Sequence, residues 1–332
     1  MNKDTVIDVK NLHINFYNNN RCNEVIMGVD FSLKRGKILC IVGESGCGKS
    51  VTANSIMRLL PSYSRIEDGE IHYYCNNEDI RIDRLSHNAK ELRKIRGEEI
   101  SMIFQDPMQS LNPVLTIGDQ ITEILLAHDY CKTKKEARTI VIQSLRELGI
   151  AMPEKRVDEY PHQFSGGMCQ RVMIAMAMIL KPKVLLADEP TTALDVTIQA
   201  QIFDLMLNLK NNHDTAILLI THDMGVVAEL ADDVAVMYMG NIVESGSAYT
   251  VLTHPKHPYT KALLESIPVL GKGKQQRPKA IKGNTPSPYN RPKGCQFYSR
   301  CAYATDRCKV CMPPKQLITE NHHVRCFNYE EV

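Results

Sequence analysis

Eight consecutive residues constrain this chain more than any other feature. Gly43-Glu44-Ser45-Gly46-Cys47-Gly48-Lys49-Ser50 follow the apolar run at 37–42, which reads as a buried strand. They precede residues 51–60, which read as a helix stopped by Pro61. Strand, glycine-rich turn ending in Lys-Ser, and helix is the context in which G-x-x-x-x-G-K-[ST] binds a phosphate chain. Glycines let the backbone N–H groups of 45–50 curl around phosphate, and the helix N-terminus adds positive potential. Lys49 supplies a point charge for the β- and γ-phosphates, and Ser50 offers its hydroxyl to Mg²⁺. The expected phosphate-contacting set is Ser45, Gly46, Cys47, Gly48, Lys49, Ser50 and Val51.

A second element completes the first. Val184-Leu185-Leu186-Ala187-Asp188-Glu189 is an apolar strand ending in two carboxylates. In open α/β sheets, ligands bind at that carboxyl edge. Asp188 is placed to hold Mg²⁺ through water, and Glu189 to polarise an attacking water. Ser165-Gly166-Gly167-Met168 opens an apolar helix at 172–180, and a helix N-terminus is another anion-binding device. One subunit has no use for two such devices on one nucleotide, so the pattern points to two subunits, each covering the other's γ-phosphate. Gln105 follows the short apolar strand Met102-Ile103-Phe104, Leu194-Asp195 lies just beyond Glu189, and His222 follows the strand at 216–220.

Elsewhere the chain reads as strands over 4–42, with partial period-two alternation. Residues 86–160 read as mainly helical, with Leu92/Ile95, Ile121/Ile124/Leu125 and Val141/Leu145/Leu148 at helical spacing. Helices are expected at about 196–210 and 223–231. Strands alternating with helices imply an α/β fold with a mostly parallel sheet. A length of 332 residues suits about two domains, and 43% hydrophobic with 23% charged residues argues against disorder. The net charge of +2 gives no basis for a nucleic-acid partner. The longest apolar run, 172–180, is far short of the roughly 20 residues a membrane span needs. No apolar stretch follows the first four residues, so no secretory signal is expected and the chain reads as cytoplasmic.

With these motifs assembled, the chain resembles the nucleotide-binding subunit of an ABC transporter over roughly 4–250. The resemblance identifies 43–50 as the phosphate loop, Gln105 as the Q-loop glutamine, and Ser165, Gly166, Gly167 and Met168 as the signature. It makes Asp188 and Glu189 the Walker B carboxylates, Ala193-Leu194-Asp195 the D-loop, and His222 the switch histidine. It implies a P-loop ABC ATPase with a RecA-like parallel core, an antiparallel β subdomain and a helical subdomain at about 86–162. ATP and Mg²⁺ are implied, with Ser50, Gln105 and Asp188 around the metal and Glu189, His222 and Gln105 at the chemistry. Adenine is expected to stack on Phe16, with Tyr17 as the rival. The signature reads FSGGM where the family's usual form is LSGGQ, but its Ser-Gly-Gly core is intact. FQDPMQSLNP at 104–113, FSGGMCQRVMIAMA at 164–177 and HPYTKALLESIP at 257–268 are similar to ATPases of dipeptide and oligopeptide importers, D-type subunit. That implies a homologous F-type partner or a self-dimer, two permease subunits, an extracytoplasmic binding protein acting indirectly, and a place at the cytoplasmic face of the membrane. Nickel and metallophore importers share the same features. Soluble ABC ATPases of translation and repair usually carry a second cassette or long insertions, which this chain lacks. A redox-sensing regulatory subunit would not need Glu189 and His222.

Past residue 250 the composition changes. Residues 271–294 hold seven Lys or Arg and no acid, and read as an extended basic linker after a C-terminal helix. The final segment, 295–332, is cysteine-rich. Cys295, Cys301, Cys308 and Cys326 are spaced C-x₅-C-x₆-C-x₁₇-C, with Cys311 as a fifth. Spacing alone leaves zinc, an iron–sulfur cluster and free thiols open, and His322 and His323 add to the zinc case. The resemblance to the tail of D-type ATPases implies a [4Fe–4S] cluster on those four cysteines, with Arg300, Arg307, Lys309 and Arg325 balancing its charge. Such a short tail is expected to need a staple. Cys47 and Cys169 flank nucleotide motifs and are candidates for oxidation sensitivity.

Overall fold

A computed structural model describes residues 4–18, 21–191, 194–267 and 279–332. Two units divide it, one formed by the chain up to Arg84 and from Ile220 onward, the other by Leu85–Leu219.

In the first unit, β1 (Thr5–Asn18) and β2 (Arg21–Lys34) pair antiparallel. Val6, Ile7, Val9, Leu12 and Ile14 are buried. The alternation in the sequence is only partial because the ladder shifts between Val9 and Leu12, where Asn11 takes φ 44°. One extra residue there resets which face points inward. β3 (Ile38–Val42) is buried along its whole length, as a parallel strand covered on both faces must be. α1 (Lys49–Ile56) ends four residues before the expected Leu60, and Arg58 at φ 53° breaks the helix. β4 (Ser64–Cys75) and β5 (Glu78–Arg81) finish a four-stranded antiparallel sheet in the order β2-β1-β4-β5.

The second unit is helical with a strand core. Its elements are α2 (Lys90–Lys94), β6 (Ile100–Ile103), α3 (Pro107–Ser110), α4 (Ile117–Ala127), α5 (Lys134–Glu147), α6 (Pro153–Arg156), α7 (Gly166–Met178), β7 (Val184–Asp188), α8 (Val196–His213) and β8 (Ala216–Thr221). β8, β7 and β6 lie side by side, with β6 and β7 parallel. The short strand expected at 102–104 is therefore 100–103, and Phe104 lies outside it, exposed. α4, α5 and α7 pack on one another, and Ile121, Leu125, Val141, Leu145 and Val172 on them are all buried. α7 starts six residues before its apolar run because Ser165 caps it, accepting from the Met168 N–H.

The first unit resumes with α9 (Met224–Leu230), β9 (Asp233–Tyr238), β10 (Asn241–Ser247), α10 (Ala248–Thr253), α11 (Pro258–Glu265), α12 (Asp306–Val310), β11 (Gln316–Thr319) and β12 (His322–Val324). β3 pairs parallel with β9, β9 antiparallel with β10, and β10 with β12. The cysteine-rich segment thus continues this unit's sheet rather than standing beside it. Of the basic stretch 271–294, residues 271–278 lie outside the described residues. From 279 on it has no helix or strand, yet Arg291 donates to the Met239 carbonyl. No described helix is long and apolar enough to cross a membrane.

Candidate functional site: a glycine loop, a carboxylate edge and a cysteine pocket

The glycine loop leaves the carboxyl end of β3 and enters α1. Gly48, at φ 109°, takes a backbone conformation that side chains rarely adopt, and a Cβ there would lie 2.6 Å from Ile26 Cδ1. A Cβ on Gly43 would meet the Met237 carbonyl oxygen at 2.1 Å. The loop is thus glycine-rich at 43 and 48 because backbone and neighbours fill the space a side chain would take. The Cys47 carbonyl accepts from the Gly240 N–H over 2.7 Å, tying the loop to the β9–β10 turn. Ser45 and Gly46 are exposed, Ser50 and Val51 half-buried, and Cys47 is buried. Lys49 is only 5% exposed, and its Nζ donates to the carbonyls of Gly43 (2.8 Å) and Glu44 (3.2 Å). The amine therefore lies folded back over the loop, where it can exchange carbonyl partners for phosphate oxygens without leaving its pocket.

Phe16 is half-buried and meets Tyr63 edge-on at 5.5 Å. Tyr17 is exposed, its hydroxyl donates to Glu67, and the Arg65 guanidinium covers its ring at 5.5 Å. His222 is exposed just past the end of β8.

In the second unit, Asp188 ends β7 and is 4% exposed. Glu189 follows at φ 46°, a left-handed conformation that costs a non-glycine residue energy and gathers at functional positions. The Gln105 Nε2 donates to Glu189 Oε2 over 3.3 Å. Ser165 and Gly166 are exposed at the start of α7, Gly167 and Met168 half-buried. A Cβ at Gly166 would meet nothing within 4 Å, so this turn presents open backbone. Asp195 caps α8, accepting from the Ile198 N–H at 2.9 Å. Ala193 of the expected D-loop lies outside the described residues.

Cys295, Cys301, Cys308 and Cys326 line one pocket with His257, Phe297, Tyr303 and Pro313. Burial, and then the neighbouring cysteines, push the thiols up: Cys295 to about 11, Cys326 to about 12, and Cys301 in the same direction. Cys311 is exposed and outside the pocket. Among the described residues, no three His, Cys, Asp or Glu side chains are set as a group that could hold a metal ion. His322 is not among the residues lining that pocket, and its Nε2 pairs with buried Glu244 at 2.7 Å. Arg300 does not balance the cysteines, because its guanidinium is taken by Glu44. Oxidation of Cys47 and Cys169 is also disfavoured: both are buried, and desolvation raises both thiols. Sequence reasoning had no access to the Glu44–Arg300 and Glu244–His322 pairs. Each joins residues far apart in the chain, and no local motif marks either.

A glycine-rich loop that opens a helix, and a buried strand whose end carries two carboxylates, are elements expected of an ATP-hydrolysing cassette. Residues 26–192 match the family model for ABC transporter, and residues 243–308 match that for the oligopeptide/dipeptide transporter C-terminal region. The chain belongs to the ABC transporter ATP-binding family. It is 49% identical to "Oligopeptide transport ATP-binding protein AppD" of Bacillus subtilis (strain 168) over 98% of both chains. It is 48% identical to "Dipeptide transport ATP-binding protein DppD" of the same organism, over 98% of this chain and 95% of that one. Among solved structures it is similar to the dimeric ATP-binding cassette MJ0796 in a post-hydrolysis state bound to ADP and Pi. That likeness has a TM-score of 0.65 and 27% identity, and covers 73% of this chain and 98% of that one.

Proposed function

We propose that this chain is the D-type ATPase subunit of a peptide importer, and that ATP binding and hydrolysis here drive uptake of di- or oligopeptides. The observation that carries this reading is the near full-length identity to relatives named for oligopeptide and dipeptide transport, joined to the matched C-terminal region. Hydrolysis needs positioning and charge stabilisation more than covalent chemistry. In this reading Lys49 and the amides of Ser45, Gly46, Cys47, Gly48, Ser50 and Val51 hold the phosphates. Ser50, Gln105 and Asp188 would hold Mg²⁺, which would supply positive charge to the phosphates, while Glu189 would orient water and His222 would contact the γ-phosphate. Phe16 is favoured over Tyr17 for adenine, because Arg65 already covers the Tyr17 ring. Ser165, Gly166, Gly167 and Met168 complete the site of a second cassette, either a homologous F-type subunit or a second copy, and Asp195 lies at that junction. The domain reading is a nucleotide-binding domain over 1–250, a C-terminal helix and linker over 251–294, and a cysteine tail over 295–332.

The subunit does not touch cargo; it presses on two permease subunits from the cytoplasmic face, with a binding protein delivering peptide outside. A groove of about 470 Å³ in the second unit suits that contact. It is lined by Phe104, Leu111, Leu115, Ile124, Met173 and Met176, next to Gln105. Uptake of a labelled dipeptide into proteoliposomes holding the assembled transporter tests the cargo. Uptake that needs ATP and stops with Glu189→Gln supports the reading. Nickel or metallophore uptake in place of peptide would reassign it.

Cys295, Cys301, Cys308 and Cys326 line one pocket, and four cysteines are the soft ligand set that zinc or an iron–sulfur cluster takes. We assign Cys295, Cys301, Cys308 and Cys326 to a [4Fe–4S] cluster, with zinc as the alternative. The centre would supply a structural cross-link. Anaerobic purification with iron, sulfide and zinc analysis tests it: about four irons per chain, lost in Cys301→Ser, supports the cluster. One zinc and no iron would make it a zinc staple.

A further inference from the structure

Glu44 is the second residue of the glycine loop, and it is held at three points. Its N–H donates to the Tyr259 hydroxyl at 2.8 Å, and its carbonyl accepts from Lys49 Nζ at 3.2 Å. Its carboxylate takes a two-point hydrogen bond from Arg300, Nη1 to Oε2 at 2.6 Å and Nη2 to Oε1 at 2.9 Å. The Arg300 side chain is only 4% exposed. It is itself fixed: Nε donates to the Lys282 carbonyl at 3.0 Å, Nη1 approaches the Tyr238 hydroxyl at 3.3 Å, and the rings of Tyr238 and Phe297 flank it at 5.9 and 5.8 Å. Thr285 also donates to Glu44 Oε2, at 3.1 Å. Thus the cysteine-rich extension and the basic stretch before it both reach the loop.

A carboxylate inside a loop built to receive a polyphosphate is a liability. Unpaired, it repels the incoming charge and competes for Lys49. A planar guanidinium bound at two points cancels that charge and also fixes the direction of the residue carrying it. We propose that Arg300 is a positioning residue for ATP binding: through Glu44 it neutralises and sets the phosphate loop, so the extension forms part of the nucleotide site's support. This rests on the assignment of 43–50 to the phosphates.

The test is a double-mutant cycle in the full chain assembled with its transporter partners. It compares wild type, Arg300→Ala, Glu44→Ala and the pair, with Arg300→Lys and Lys49→Ala alongside. Equilibrium binding of a fluorescent ATP analogue with Mg²⁺ is read together with KM and kcat for ATP. Arg300→Ala should weaken binding and raise KM by about tenfold, with kcat within about twofold. Glu44→Ala removes the charge that needs cancelling, so adding Arg300→Ala to it should change KM by less than about twofold. Arg300→Lys keeps the charge without the two-point geometry and should fall between wild type and Arg300→Ala. An unchanged KM in Arg300→Ala overturns the proposal. So does an equal loss in both Glu44 backgrounds, the mark of a residue that only holds the tail folded. If Arg300→Ala does not fold, Arg300→Lys decides, and a wild-type KM there overturns the proposal. Lys49→Ala isolates the underlying assignment: full ATP binding in that variant would remove the loop reading and the proposal with it.

Discussion

Gln105 and Glu189 are hydrogen-bonded across 3.3 Å although 84 residues separate them in the chain. Their meeting follows from register. β6 and β7 run parallel, with Ile103 opposite Ala187, so both strands end at the same edge of the sheet. Each strand then releases a polar side chain into the same space, Gln105 two residues past the paired Ile103 and Glu189 two residues past Ala187. The left-handed backbone at Glu189 turns the chain sharply there.

That geometry makes Glu189 the most informative single substitution. Glu189→Gln keeps the shape and the contact to Gln105 but removes the carboxylate. Steady-state ATPase of the assembled transporter should fall by roughly 10²–10⁴, with ATP affinity retained. Near-normal turnover would show that Glu189 does not orient the attacking water.

Thiol labelling should follow burial. Cys22 and Cys311 are exposed, whereas Cys40, Cys47 and Cys169 are buried and desolvation raises each of their thiols. Only the thiolate reacts, so at pH 7.5 iodoacetamide should modify Cys22 and Cys311 first, as read by peptide mass spectrometry. ATP binding should survive that modification. Early labelling of Cys47 would mean the loop opens far more than its contacts suggest.

Glu244 is 1% exposed and serves three partners: the N–H groups of Lys256 and His257, at 2.7 and 2.9 Å, and His322 on β12. Glu244→Ala strips all three at once. Unsatisfied buried polar groups cost about 1–3 kcal/mol each. The variant should unfold at lower temperature, and the segment after residue 295 should become a site of early proteolysis. Unchanged melting and cleavage would show that the β10–β12 pairing carries the extension without this network.

Arg300 holds the Glu44 carboxyl below the usual carboxylate range. A lowered folded value means the unfolded chain takes up the proton first. The pair's contribution is therefore complete above the ordinary glutamate value of 4.5 and is lost as pH falls through the lower folded value. Denaturant titrations between pH 6 and 3 should show a smaller acid-induced loss for Glu44→Gln than for wild type. Parallel curves would mean the pair adds nothing to stability.

Much of the site was legible because its chemistry is local. Gly43 to Ser50 specify a turn whose shape follows from missing side chains and a helix start. Asp188 and Glu189 stand at the end of a run that can only be a buried strand, and Ser165 marks its own helix. The strands at 64–75 and 241–247 were not legible. Glu67, Asp68 and Glu70 on the first, and Asn241, Glu244 and Ser245 on the second, mask any apolar period, and pairing partners decide their conformation. Within the cysteine-rich tail, the four cysteines line one pocket, while His322 pairs with Glu244 and Arg300 with Glu44, contacts that no local spacing marks.

The sequence by itself determined the class of this protein, because a phosphate loop, a carboxylate edge and a helix cap are each written in a few adjacent residues. Tertiary structure alone decided which charges meet. Arg300 with Glu44, and His322 with Glu244, are joined by the way the extension adds its strand to β10 and lays its arginine against the loop. Such pairs depend on desolvation and direction, which exist only once the intervening chain has folded.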